Sequence, residues 1–245
     1  MKKLMKFALV ALLTVVLAAC NGDEKGNKDK EETAPKEEKN TQVDEKKLEE
    51  QQIKEDKVIA LVNGTELKGA DYNRALSQIQ LQYQQMGQDP TTEKAENQIK
   101  DQILKTLIDF TVVLQDAEKK GYKASGEAVE KELTAIKKNF DNDDKKFEEA
   151  LKKNNMTEDE LKAQLAKNLT YKTYMEKEIK IEDVSEKEMK DYYNKFKEQT
   201  KGKEPPPYED VKGQIKIQLE SQKKQKKMTE KIKQLKEDAE IAVLI

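Results

Sequence analysis

The chain has no histidine, no tryptophan and a single cysteine among its 245 residues. Without imidazole there is no Ser-His-Asp triad and no Cys-His dyad, and one thiol alone cannot build a Cys/His zinc site. The familiar hydrolase chemistries are excluded on that ground, and no cofactor, metal or catalytic residue is expected. Carboxylate-only catalysis and oxygen-ligand calcium binding survive, because Asp and Glu total 49. No D-x-[DN]-x-[DN]-G loop is present, however, and the nearest stretch, Asn142-Asp143-Asp144, reads as a helix start.

The one cysteine ends the most informative stretch, MKKLMKFALVALLTVVLAAC. Lys2, Lys3 and Lys6 form a charged leader, and the apolar run from Phe7 to Ala19 falls short of the ~20 residues a bilayer span needs. Residues 1–19 are therefore expected to be a signal peptide. Leu17-Ala18-Ala19-Cys20 resembles the lipobox of bacterial lipoproteins, which implies a diacylglyceryl anchor on Cys20 and a place on the extracytoplasmic face of a bacterial cell membrane. Ordinary secretion and an uncleaved anchor are the alternatives. Removing a leader with three lysines and no acid leaves 44 basic against 49 acidic residues, a net charge of −5 that does not suit a nucleic-acid binder.

From Cys20 to Asp56 charges of both signs alternate, and beyond the cysteine the apolar side chains are Ala34, Val43, Leu48 and Ile53. That is too little to offset chain ordering, so residues 20–56 are expected to be a disordered tether, with some helix after Val43.

A folded domain is expected over residues 57–245. Val58-Ile59-Ala60-Leu61-Val62 reads as a strand, Asn63-Gly64 as a tight turn, and Thr65-Glu66-Leu67 as the returning strand. The apolar period then becomes helical. One helix carries Tyr72, Leu76, Ile79, Tyr83 and Met86; the next, over 93–120, is apolar nearly all round and stops at Gly121. Ser125 and Asn142 or Asp143 are caps for two more helices, and Thr157-x-x-Glu160 and Ser185-x-x-Glu188 are capping boxes for another two. After Pro205-Pro206-Pro207 a long helix runs from Tyr208 to about Asp238. The chain then closes on Ile241-Ala242-Val243-Leu244-Ile245, the one β-type run available to pair with residues 58–62. The fold class is thus mainly α, with a small sheet joining the N-terminal hairpin to the C-terminal strand.

ILKTLIDFTVVLQDAEKKGY at 103–122, FEEALKKNNMTEDELKAQL at 147–165 and SEKEMKDYYNKF at 185–196 resemble the N-terminal chaperone module of the SurA and PrsA foldases. VIALVNGTELKGADY resembles that module's opening hairpin and helix, and the segment from Tyr208 its returning helix and strand. In those foldases a parvulin prolyl isomerase domain sits between residues equivalent to 57–199 and 208–245. Here residues 200–207 are only a linker, and parvulin sites are typically built around histidines. The resemblance therefore implies a chaperone for unfolded exported polypeptides without isomerase activity. An assembly factor with one dedicated partner and a residual isomerase are the alternatives.

A surface that holds many clients needs adaptable apolar side chains, which Met and Tyr supply. Tyr72, Tyr83, Met86, Tyr174, Met175, Tyr192 and Tyr193 are the candidates, and at least half of them are expected to be core. The lysine-rich final helix, with Lys212, Lys223, Lys231 and Lys236 among its cations, is expected to be a solvated face offset by acidic neighbours, with attraction of anionic lipid headgroups, wall polymers or acidic clients as the alternative.

Overall fold

The computed structural model describes residues 45–154, 156–199 and 205–245, so the expected signal peptide, Cys20 and most of the expected tether lie outside the described residues. Strand β1 (Val58–Val62) turns at Asn63 and Gly64, whose φ values of 49° and 78° lie in the left-handed region such a turn demands. It pairs antiparallel with β2 (Thr65–Lys68) and, on its other edge, with β3 (Ile241–Val243), giving the order β2-β1-β3. Val62 faces Ile241, Leu61 faces Ala242 and Ala60 faces Val243. The ends of the domain close on each other, as the two β-type runs imply.

Short α1 (Glu45–Glu50) precedes the sheet. After it come α2 (Gly69–Gln85), α3 (Glu93–Lys119), α4 (Gly126–Lys138), α5 (Asp144–Lys153), α6 (Glu158–Glu178), α7 (Glu186–Gln199) and α8 (Tyr208–Glu237). Side chains set their starts. Thr92 accepts from the Ala95 amide at 3.3 Å and Ser125 from that of Ala128 at 3.2 Å. Asp143, not Asn142, caps α5, accepting from Lys145 and Lys146, while Asp141 and Asn142 make the turn before it at positive φ. Both capping boxes form: Thr157 exchanges bonds with Glu160, and Ser185 with Glu188.

Helix α3 is the axis of the main core. Its Ile99, Ile103, Val112, Val113 and Ala117 are at most 3% exposed, packed with Ile59 and Val62 of the sheet, Leu76 of α2 and Tyr174 of α6. Met228, Ile232 and Leu235 from the C-terminal half of α8 cover it. A second cluster joins α4, α5 and the start of α6 through Val129, Leu133, Ile136, Phe147 and Leu165. A third joins α7 to the N-terminal half of α8 through Val184, Met189 and Ile215, with Tyr192, Tyr193, Tyr208, Val211 and Leu219 around it.

The boundary expected at residue 57 moves toward the N-terminus. Residues 45–56 form a strap across α2. Asn73 accepts from the Ile53 amide at 2.9 Å and donates to the Ile53 carbonyl at 2.7 Å. Gln80, 8% exposed, donates to the Leu48 carbonyl and to Gln51, and Gln51 donates to the Pro90 carbonyl and Glu96. Glycine at position 69 permits the approach, since a Cβ there would lie 2.1 Å from the Lys54 carbonyl oxygen. Apolar content missed the strap because side-chain amides, not burial of hydrophobic surface, hold most of it.

Candidate functional site

The seven Tyr and Met candidates separate by burial. Tyr72, Tyr174 and Met175 are 4%, 0% and 4% exposed and belong to the main core, so they are corrected from client contacts to packing residues. Tyr174 shows why a buried tyrosine is tolerated: its hydroxyl donates to Asp116, and its ring meets Tyr122 edge-on at 5.4 Å. Burial, and then the Asp116 contact, push that hydroxyl well above its ordinary pKa. Tyr192 and Tyr193 are half-buried in the third cluster. The Tyr193 hydroxyl donates to the Pro206 carbonyl at 2.8 Å, and its ring packs on Tyr208. Tyr83 is half-buried near the end of α2, and Met86, one turn on, is 55% exposed.

Several exposed apolar side chains escaped the sequence reading. Leu81 is 37% exposed on the same end of α2 as Met86, and Ile217 on α8 is 68% exposed. A helical-period signal marks Ile217. The stripe Val211, Ile215, Leu219 faces α7, and Ile217 falls about 200° round the helix from Ile215. At the sheet edge Val243 and Leu244 are 49% and 52% exposed. Together these residues give three separate apolar spots: the end of α2, the outward face of α8, and β3.

The lysines of α8 are mostly engaged. Lys212 meets Glu186 at 2.9 Å, Lys223 meets Glu188 at 2.8 Å, Lys231 meets Asp116 at 3.4 Å and Lys236 meets Asp109 at 2.9 Å. Asp109 is 9% exposed on α3 and also receives Lys105 at 2.6 Å; its contact with Lys236 is ionic without an aligned hydrogen bond. Burial opposes the charge on Asp116, yet the Tyr174 hydroxyl and then Lys231 and Lys120 outweigh it and hold that carboxyl below its ordinary pKa. Glu178 is likewise held low by Lys120 and by the Tyr122 hydroxyl, which donates to it at 2.8 Å. Glu188 falls to about 2, first through Lys223 and then through the Ser185 amide and hydroxyl. These pairs dock α8 on α3 and α7, and the lysine face is largely offset by acidic neighbours, as expected. Lys224 and Lys227 have no ion-pair partner among the described residues.

The described residues hold no cluster of three acidic or thiol groups able to bind a metal ion, and no described helix is long and apolar enough to cross a membrane. The surface hollow between the strap and the start of α3 is open and polar, lined by Lys47, Gln51, Glu93 and Glu96. What the geometry offers is a helical frame with apolar spots on its outside, the equipment of a protein-binding module.

Sequence comparison agrees with that class. The profile of the SurA-like N-terminal domain matches residues 2–175, and the chain belongs to this family. The matched stretch runs from residue 2 to the Tyr174-Met175 turn of α6, so α7, α8 and β3 lie beyond it. The chain is also similar to "Foldase protein PrsA" of Clostridium botulinum, strain Langeland, at 32% identity over 149 residues, and to that of strain Hall at 31% over 147. Each match covers 56% of this chain and 44% of the relative, so the chain spans less than half the length of these relatives.

Proposed function

We propose that this protein is a lipid-anchored extracytoplasmic chaperone that holds unfolded exported polypeptides near the membrane and has no prolyl isomerase activity. The observation that carries the reading is a SurA-like N-terminal domain with apolar side chains left in water, Met86 and Ile217 foremost. The relatives' name, foldase, supports the same work on other proteins. Holding a client by dispersed apolar contacts needs no cofactor or energy source, and it tolerates many client sequences. Cys20, ending the Leu17-Ala18-Ala19-Cys20 lipobox, provides the anchor, and residues 21–44 provide reach. The chain has no histidine, and eight residues separate α7 from α8, which supports a holdase without a parvulin unit.

Two assays on the protein without its leader test this reading. It should slow the aggregation of chemically different unfolded clients while leaving proline cis/trans interconversion at its uncatalysed pace of tens to hundreds of seconds. Accelerated isomerisation in a preparation cleared of contaminating isomerases would overturn the non-enzyme part. Suppression confined to a single client would favour a dedicated assembly factor. For the anchor, Cys20→Ala should abolish labelling with fatty acid, and persistent labelling would remove Cys20 from the account.

A further inference from the structure

The three-stranded sheet finishes its two edges differently. On β2 the edge carries Glu66 and Lys68, exposed and paired at 3.7 Å, and charged side chains blunt a strand edge against further pairing. The β3 edge carries Ile241-Ala242-Val243-Leu244-Ile245, with no charged side chain. Its hydrogen-bond phase is fixed at both ends: the Asn63 amide donates to the Glu240 carbonyl at 2.8 Å and the Leu244 amide donates to the Ile59 carbonyl at 2.9 Å. Alternation along an antiparallel ladder then turns the N–H and C=O of Ile241 and Val243 away from β1, where no described residue bonds them. Val243 and Leu244 flank that edge on opposite faces, 49% and 52% exposed.

We propose that the open edge of β3 is a strand-addition site for extended apolar stretches of unfolded polypeptide. This rests on the holdase reading and gives it one defined site. Outward-facing N–H and C=O groups require a partner whose own backbone is extended and unpaired, which an unfolded chain has and a folded protein's interior does not. A second copy is the weaker occupant by area. Two three-residue β3 strands paired across a twofold axis would bury little beyond Val243 and Leu244, far from the ~1,200 Å² of a stable interface. A client needs only transient capture. Backbone bonds read no side chains, and apolar flanks favour the segments most prone to aggregate.

The probe is a fluorescent peptide alternating Val and Thr with a Lys at each end, titrated by anisotropy against residues 21–245. Val243→Pro removes an outward donor while the ladder to β1 keeps its donors at positions 242 and 244. Peptide affinity should fall about tenfold with the melting midpoint held. The same peptide N-methylated at alternate residues should bind the parent about as weakly, a control that requires no variant of the protein. In the parent, the amides of Ile241 and Val243 should gain exchange protection when peptide is added. Parent-like binding by a folded Val243→Pro, or by the methylated peptide, would overturn the proposal. Concentration-dependent protection of Val243 in the free protein, together with a dimer in sedimentation, would overturn it in favour of a second copy. If aggregation suppression persists while peptide binding ignores both changes, the edge fails and the holdase reading stands; if the edge binds peptide but no client is protected, the holdase reading fails alone.

Discussion

The body around α3 and the arm made by α7 with the first half of α8 are held together by different forces. Among the described residues the body's main cluster has seventeen buried apolar members and the arm's has three, Val184, Met189 and Ile215. The arm supplements them at its surface: Glu186 takes Lys212 at 2.9 Å and the Tyr208 hydroxyl at 3.0 Å, and Lys223 bridges Glu188 and the Asp183 carbonyl. Between Leu219 and Met228, α8 reads Glu220-Ser221-Gln222-Lys223-Lys224-Gln225-Lys226-Lys227, with no apolar side chain to join the two clusters. One helix thus serves two packing units through a polar neck. The difference teaches that the body's stability comes from burial, whereas the arm depends more on exposed ion pairs that water and salt screen.

The largest effect that would sharpen this contrast lies in the body. Ile103→Ala, at a fully buried site, should cost about 2–5 kcal/mol in a denaturant titration and destabilise the whole fold cooperatively. Deleting residues 239–245 should cost somewhat less, about 2–3 kcal/mol, through the lost β1–β3 ladder and the partly buried Ile241 and Ile245. A truncated protein that melts like the parent would remove β3 from the body's account. In the arm, Met189→Ala should cost about 2 kcal/mol and act locally. Amide protection should drop in α7 while α3 keeps its own, and an equal drop in both would break the division into two units.

The smallest effect is that of acid. Glu188, Glu178 and Asp116 have folded pKa values below their ordinary ones, so the stability they contribute is fully present above the unfolded values of 4.5 and 3.8. It is lost as pH falls through the folded values, about 2 for Glu188. Asp116 and Glu178 lie in the body and Glu188 in the arm, so both units lose this contribution between pH 5 and pH 2, and the arm's exchange protection should weaken first because only three buried apolar residues support it. Glu188→Gln should flatten the arm's response. An arm indifferent to pH would show that its ion pairs contribute nothing.

Much of the fold was legible because its signals are local. Two β-type runs at opposite ends of a helical chain have only each other to pair with, and Ser185-x-x-Glu188 announces a helix start without tertiary context. Of the strap at residues 45–56 only the helix after Val43 was legible, because Asn73 and Gln80 fix its course by amide bonds that no hydropathy pattern records. The candidate surface was legible only in outline. Helical spacing shows that Tyr72, Tyr174 and Met86 each lie on an apolar face, but not which face meets another element. Tyr174 ends fully buried against α3, whereas Met86 caps the end of α2 and stays 55% exposed. Ile217 was overlooked for the converse reason, being the apolar residue that breaks its helix's stripe.

The central claim is that unfolded clients are held on the outward apolar residues of both units, and site-specific photo-crosslinking tests it most directly. With the crosslinker placed in turn at Met86, Ile217 and Lys227, all exposed, an unfolded client should be captured strongly from Met86 and Ile217 and weakly from Lys227, which stands in the polar stretch between Leu219 and Met228. Equal capture from all three positions, or capture from Lys227 alone, would contradict the claim.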